Sequence, residues 1–111
     1  MRGYFNSIDV AGSVYAMKIC AFCGKEAECE HHLVFGRGRK QIADRDHLTI
    51  NLCNRHHNMG SIDERIHDNR SAERLSKMLG EALWMLNQVT DNTRQDELKK
   101  AFIERYGENY L

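Results

Sequence analysis

The chain has 111 residues with 16 basic and 16 acidic side chains, so its formal net charge is zero. A neutral molecule has no overall basic field that attracts nucleic acid, although local contacts with phosphate remain allowed. No apolar run reaches about 18 residues, which excludes a membrane-spanning helix. This length predicts one small domain, whose limited core is commonly reinforced by a bound metal.

The first 17 residues are predicted to be an extension of the core, because their apolar side chains follow neither a helical nor a strand period. They also lack the basic start, the long apolar stretch and the cleavage site of a secretory signal. We therefore expect a cytoplasmic protein with no membrane partner. In that reducing compartment, a Cys-x-x-Cys motif is more typical of a metal site than of a disulfide.

Two short motifs predict a structural zinc site. Cys20-x-x-Cys23 and Cys53-x-x-His56 each place two ligands on one turn, and together they match a tetrahedral site of three cysteines and one histidine. Two other ligand sets stay open, with Cys29 in place of one of these four ligands or His57 in place of His56. A thiol redox motif is a further alternative, but the βαβ context typical of such motifs is missing.

A second group of histidines is available for other chemistry. His31 and His32 stand together on a predicted strand, residues 29–35, and their side chains must point to opposite faces. One ring can bind a metal ion while the other acts elsewhere, for example as a general base for water. If His56 binds zinc, His57 is left for another metal, with His67 as a further candidate. These two are ten residues apart, about 280° around an unbroken helix, so sharing a site requires a break at 60–61.

The rest of the chain predicts a second strand and C-terminal helices. Residues 48–53 alternate apolar and polar side chains, as in a half-buried strand, whereas residues 36–40 predict a loop. Residues 61–111 are predicted to be helical, with Ser71 as an N-cap and a final helix from Asn92 or Thr93 to Gly107. One apolar stripe at helical spacing is expected to pack in the core: Leu75, Met78, Leu79, Ala82, Leu83 and Leu86.

These motifs, in this order, resemble the HNH nucleases. The matching stretches are CAFC at 20–23, EHHLVFG at 30–36 and HLTINLCNRHHN at 47–58. The resemblance implies an α+β fold, in which a small zinc-stabilised ββα-metal core at 18–68 is followed by C-terminal α-helices at 69–111 that pack on it. The ending AFIERYGENYL at 101–111 is similar to that of small phage HNH endonucleases of the recombination-enhancement, RecA-dependent type.

The resemblance also implies roles for the histidines. His32 matches the general base that activates water, His31 the strand ligand of a catalytic metal and His57 its helix ligand, with His67 as a further ligand. The middle Asn of the family is missing, and His47 is the candidate catalytic residue near that position. A histidine-rich site leaves the catalytic ion open among Mg²⁺, Mn²⁺, Ni²⁺ and Zn²⁺.

These roles imply an HNH-type endonuclease that hydrolyses DNA phosphodiester bonds, with Arg37, Arg39, Lys40 and Arg55 as DNA contacts. The implied setting is phage recombination in the cytoplasm of a bacterial host, from a phage or prophage gene, with a recombinase filament as a further partner. The alternative is a non-catalytic, zinc-stabilised module that binds nucleic acid or protein. The oligomeric state stays open between monomer and dimer.

Overall fold

Three short strands and three helices make up the described part of the chain, which in the computed structural model comprises residues 7–8 and 19–111. The fold is α+β, as expected, and none of its described helices is both long and apolar enough to cross a membrane. The elements are β1 (Ser7–Ile8), β2 (Cys29–His32), α1 (Arg39–Arg45), β3 (Thr49–Leu52), a π-helical turn (Arg55–Met59), α2 (Arg70–Gln88) and α3 (Gln95–Tyr106).

The sheet has three strands, with β3 in the centre. Strand β2 runs antiparallel to β3, with Cys29 opposite Leu52 and His31 opposite Ile50. Strand β1 adds a two-residue parallel edge on the other side of β3. The predicted N-terminal extension therefore contributes two residues to the sheet, and the remainder of residues 1–17 lies outside the described residues.

The region between β2 and β3 differs from the prediction. Strand β2 ends at His32, and the predicted loop at 36–40 gives way to α1 from Arg39 onward. Gly38 makes this possible, because it adopts a left-handed conformation (φ 70°) at the helix N-terminus. The helix buries Ala43 in the core. Arg39 and Lys40 are therefore residues of the first helical turn and are not part of a flexible loop.

Helix α2 begins two residues before the start that an N-cap at Ser71 predicts, and it buries a different face. Residues 61–69 form turns, and the N-cap is Asn69, whose side chain accepts a hydrogen bond from the Ala72 N–H, so Ser71 is already inside the helix. The apolar stripe is only partly buried, since Leu75 and Leu86 are 64% and 51% exposed. The small residues on another face lie against the sheet instead, because they let the helix approach closely: Ser76 and Gly80.

Helix α3 packs against α2 and ties the C-terminus to α1. Its buried Phe102 contacts Trp84 edge-on and stacks on Tyr106. The helix starts at Gln95, two or three residues after the predicted start, and ends as predicted at Gly107, which is left-handed (φ 84°). Tyr106 and Arg105 both donate hydrogen bonds to the Asp46 carboxylate at the end of α1, so the helix that precedes β3 is held in place from the C-terminal side.

The close approach at Gly80 predicts an unusual response to substitution. A Cβ at this position would lie 2.6 Å from Val34 Cγ2 and 3.1 Å from Leu33 Cβ, and both neighbours are fully buried. We expect Gly80→Ala to lower the free energy of unfolding by about 1 to 3 kcal/mol, although alanine favours a helix by about 1 kcal/mol over glycine. Urea denaturation measures the change. The control Leu75→Ala, at an exposed position of the same helix, should stay within about 0.5 kcal/mol of the wild type. A Gly80→Ala protein more stable than the wild type would contradict this packing.

Candidate metal centres

The described residues bring Cys20, Cys23, Cys53 and His56 together in one group, with one ligand atom of each within 4.8 Å of the others. Cys23 Sγ lies 3.8 Å from Cys53 Sγ, and His56 Nδ1 lies 3.3 Å from Cys53 Sγ and 3.8 Å from Cys20 Sγ. A tetrahedral zinc ion with Zn–S bonds of about 2.3 Å holds its ligands about 3.8 Å apart. The group is therefore compatible with a structural zinc ion, as its spacing in the sequence predicts.

Two backbone turns position these four residues, Cys20, Cys23, Cys53 and His56, which we call the thiolate group. Gly24 (φ 76°) closes the first turn, in which its N–H donates to the Cys20 carbonyl, and Ala21 N–H donates to Asn51 of β3. The second turn leaves the end of β3, where the Cys53 carbonyl accepts the N–H groups of both His56 and His57. Each turn is thereby anchored to the same central strand, which fixes the four ligands relative to one another.

The electrostatics of the thiolate group favour a charged sulfur. Burial raises the pKa of Cys20, but backbone N–H groups, including those of Cys53 and Cys23, outweigh burial and lower it from 9.0 to about 6. Burial and the neighbouring cysteines raise the pKa of Cys53. The lowered pKa of Cys20 favours its thiolate, whereas the raised pKa of Cys53 means that this thiol must release its proton when it binds zinc.

The alternative ligand sets are disfavoured by position. Cys29 Sγ donates to the Leu52 carbonyl at 3.3 Å and lies outside the thiolate group. Burial raises the pKa of Cys29, which keeps it a thiol. His57 belongs to a different group, so His56 is the histidine that faces the three sulfurs.

A second group contains three histidines from three parts of the chain: His31, His57 and His67, each offering one nitrogen within 4.8 Å of the others. The Nε2 atoms of His57 and His67 lie 3.0 Å apart. The break expected at Gly60 is present, since Gly60 is extended and the chain then turns back. His67 N–H donates to the His57 carbonyl, and the two imidazoles meet edge-on across the turn, with ring centroids 4.6 Å apart.

The histidine group is partly shielded from water. His31 is 1% exposed, and its Nε2 lies 2.8 Å from Ser76 Oγ of α2. Burial, with the nearby His67, His57 and His32, lowers the pKa of His31 from 6.5 to about 3. Burial and His67 also lower the pKa of His57. Neutral imidazole is the form that binds metal ions, so burial favours the metal-binding form of His31 and His57.

His32 points away from His31 and meets α1. Its Nε2 lies 3.0 Å from Asp44 Oδ1, and Glu30, which is two residues earlier on β2, joins them in a third, more exposed group that could hold a metal ion. A cavity of about 140 Å³ joins both sides of β2 at this end. The residues that line it are Glu30, His31, His32, Phe35, Lys40, His57 and His67.

The basic residues predicted to contact DNA are used in different ways. Lys40 lines the cavity, and Arg37 is exposed two residues after Phe35, which also lines it. Arg39 donates to the Tyr106 carbonyl and pairs with Glu108, while Arg55 forms two hydrogen bonds with Glu64. Arg39 and Arg55 therefore hold together parts of the fold, which leaves Lys40 and Arg37 as the cations best placed for an anionic ligand.

His47 is the predicted site residue that the structure places apart from the others. It occupies an exposed left-handed position (φ 59°) between α1 and β3 and is not among the residues that line the cavity. The side chain that contacts His32 is instead Asp44, three residues earlier. Sequence reasoning missed Asp44 because the helix that carries it was predicted in part as a loop. It also missed Ser76 and Glu73, which reach the histidines from α2.

Among the described residues, the thiolate group and the histidine group differ in how many ligands they supply. The thiolate group supplies four protein ligands, which is typical of structural zinc. The histidine group supplies three nitrogens beside a cavity, which is the ligand number of metal sites that keep a position for water or substrate.

Comparison with models of known protein families, with curated proteins and with solved structures gives no match for this chain. The functional assignment therefore depends on the geometry of its own residues.

Two cysteine substitutions test the thiolate group. Cys53→Ser removes one sulfur ligand, and we expect this protein to lose one equivalent of zinc relative to the wild type and to unfold at a markedly lower temperature. Structural zinc sites contribute about 10 kcal/mol of apparent binding free energy, so the loss should be large. Elemental analysis and thermal unfolding measure both effects.

Cys29→Ser is the matched control, because Cys29 is a partly buried cysteine outside the group. It should retain the zinc of the wild type. Equal zinc loss in both variants would show that the ligand set is wrong.

Proposed function

We propose that the protein is a metal-dependent DNA endonuclease of the HNH type that hydrolyses phosphodiester bonds. The observation that carries the proposal is the cavity in which three converging histidines lie beside His32. A separate thiolate group accounts for Cys53 and His56, so the neighbouring His57 is available to the histidine group. This division of ligands is what a nuclease core with both a structural and a catalytic metal requires.

His31, His57 and His67 fit a catalytic divalent ion, because they are close together and two of them have lowered pKa values. Such an ion, when bound, polarises the scissile phosphate and stabilises the charge that develops on the leaving oxygen. Lys40, on the wall of the same cavity, is positioned to attract a phosphate group. Nitrogen ligands favour Mn²⁺, Ni²⁺ or Zn²⁺ over Mg²⁺, which prefers oxygen.

His32 is the proposed general base. Its Nε2 is held by Asp44 Oδ1 at 3.0 Å, and a carboxylate can only accept, so this nitrogen carries the hydrogen in the neutral ring. The lone pair of His32 is then on Nδ1, which is the atom that takes a proton from water. Asp44 thereby keeps the ring in the tautomer and orientation that the reaction needs, as a carboxylate does for a catalytic histidine in other hydrolases.

The setting of the reaction follows from the resemblance to phage enzymes and stays a prediction. It comprises DNA as substrate, a recombinase filament as partner and the cytoplasm of a bacterial host. The alternative function, a zinc-stabilised binding module without catalysis, needs the thiolate group but gives no role to the converging histidines.

Replacement of His32 tests the proposal. We expect His32→Ala to lower metal-dependent cleavage of supercoiled plasmid DNA by about 10²-fold to 10⁴-fold, because general-base catalysis contributes a factor of this size. The assay uses the zinc-containing protein with added Mg²⁺, Mn²⁺, Ni²⁺ or Zn²⁺, and zinc content and thermal unfolding of the variant serve as controls. Normal cleavage by His32→Ala would exclude His32 as the base. A wild type that cleaves no DNA with any of these ions would favour the binding module.

His47→Ala separates the two catalytic histidines that the sequence predicts. Because His47 does not line the cavity, we expect this variant to retain cleavage within about threefold of the wild type, as a substitution away from the reacting groups should. The same plasmid assay measures it. A loss as large as that of His32→Ala would restore His47 to the catalytic site and contradict its position in the structure.

A further inference from the structure

We propose that Ser76 of α2 fixes the tautomer of His31, so that His31 presents Nδ1 to the metal ion it shares with Nε2 of His57 and His67. This inference rests on the metal site of the proposed function and deepens it. It makes Ser76 a positioning residue in the C-terminal helical segment, outside the core that the sequence predicts at 18–68.

The hydrogen-bond geometry allows one assignment of protons around Ser76. Its hydroxyl lies 2.8 Å from the Leu33 carbonyl oxygen and 2.8 Å from His31 Nε2. A hydroxyl has one hydrogen, and a carbonyl oxygen can only accept, so this hydrogen is donated to Leu33. Toward His31 the Ser76 oxygen must therefore accept, and Nε2 of His31 must carry a hydrogen.

Burial of both side chains supports this assignment of hydrogens. His31 is 1% and Ser76 5% exposed, so water has little access to replace either partner. A buried polar group left without a partner costs about 1 to 3 kcal/mol. The donors are therefore fixed, with His31 donating to Ser76 and Ser76 donating to the Leu33 carbonyl. An imidazole that binds a metal ion is neutral and has a single N–H. With that hydrogen on Nε2, the free lone pair is on Nδ1.

The same helix also places a carboxylate near the ring of His67. His67 Nδ1 lies 3.8 Å from Glu73 Oε2, while His67 Nε2 faces His57 Nε2 at 3.0 Å. Glu73 is itself fixed, because its carboxylate accepts the Asp68 N–H at 3.0 Å. Glu73 and Ser76 are three residues apart and thus share one face of α2. One helix face therefore lies within hydrogen-bond distance of His31 through Ser76 and places the Glu73 carboxylate near His67, and such groups behind metal-binding histidines commonly orient them.

A matched pair of substitutions isolates the hydroxyl. Ser76→Thr and Ser76→Val introduce side chains of nearly equal shape, and only threonine keeps the hydroxyl. In the zinc-containing protein without further metal, long-range ¹H–¹⁵N NMR of the imidazoles reports the tautomer of each ring. We expect His31 to be the Nε2–H tautomer in the wild type and in Ser76→Thr, and to lose this single tautomer in Ser76→Val.

Metal affinity gives the second measurement. Calorimetric titration of the zinc-containing protein with Mn²⁺ or Ni²⁺ should show affinity about 10-fold to 100-fold weaker in Ser76→Val and within a few-fold of the wild type in Ser76→Thr. Zinc retained in the thiolate group is the control for folding. If both variants fail to fold, the tautomer of His31 in the wild type still decides the point.

Three results would overturn the inference: an Nδ1–H tautomer of His31 in the wild type, unchanged Mn²⁺ and Ni²⁺ affinity in a folded Ser76→Val, or a wild type that binds neither ion. A wild type that binds the ion as expected and cleaves no DNA would exclude the nuclease while supporting the role of Ser76. Failure of the inference and failure of the proposed function are therefore distinguishable.

Discussion

The structure depends on one tight turn after β3, in which the Cys53 carbonyl accepts the N–H groups of both His56 and His57. The turn directs His56 to the three sulfurs and the adjacent His57 to the other histidines. A similar divergence occurs on β2, where strand alternation sends His31 to the buried side and His32 to Asp44. His56 of the thiolate group and His57 of the histidine group are joined by one peptide bond. A zinc ion bound to His56 would therefore also fix the position of His57.

The helices outside this core complete the site as well as the fold. Small residues let α2 lie against the chain that leaves β2, and on the same helix Ser76 and Glu73 reach two of the histidines. Helix α3 holds α1 through the bonds from Arg105 and Tyr106 to Asp46, two residues beyond Asp44. The pairing of Asp44 with His32 is thus supported from the C-terminal end of the chain.

The spacing of the ligands in the sequence predicts much of the site, whereas residues that join it only through tertiary packing could not be predicted. The motifs at 20–23 and 53–56 contain their own geometry, because two ligands on one turn need no distant information, and His67 required only the chain break at Gly60 that the structure contains. Asp44 and Ser76 carry no local signal, since each acquires its role from a strand more than ten residues away. The leucine stripe on α2 was misleading for the same reason: close packing at Gly80, and not hydrophobic spacing, selects the buried face. Arg39 and Arg55 likewise found acidic or carbonyl partners that the sequence alone does not reveal.

If one turn of the chain serves two metal ions of different chemistry, as we propose, stepwise titration of the metal-free protein with Co²⁺ should detect both ions. Cobalt bound by thiolates absorbs strongly in the near ultraviolet through sulfur-to-metal charge transfer, whereas cobalt bound by imidazoles lacks this band. We expect two equivalents of bound Co²⁺, one with the charge-transfer band and one without it. A single bound equivalent, or a second equivalent that adds further thiolate absorption, would contradict the account.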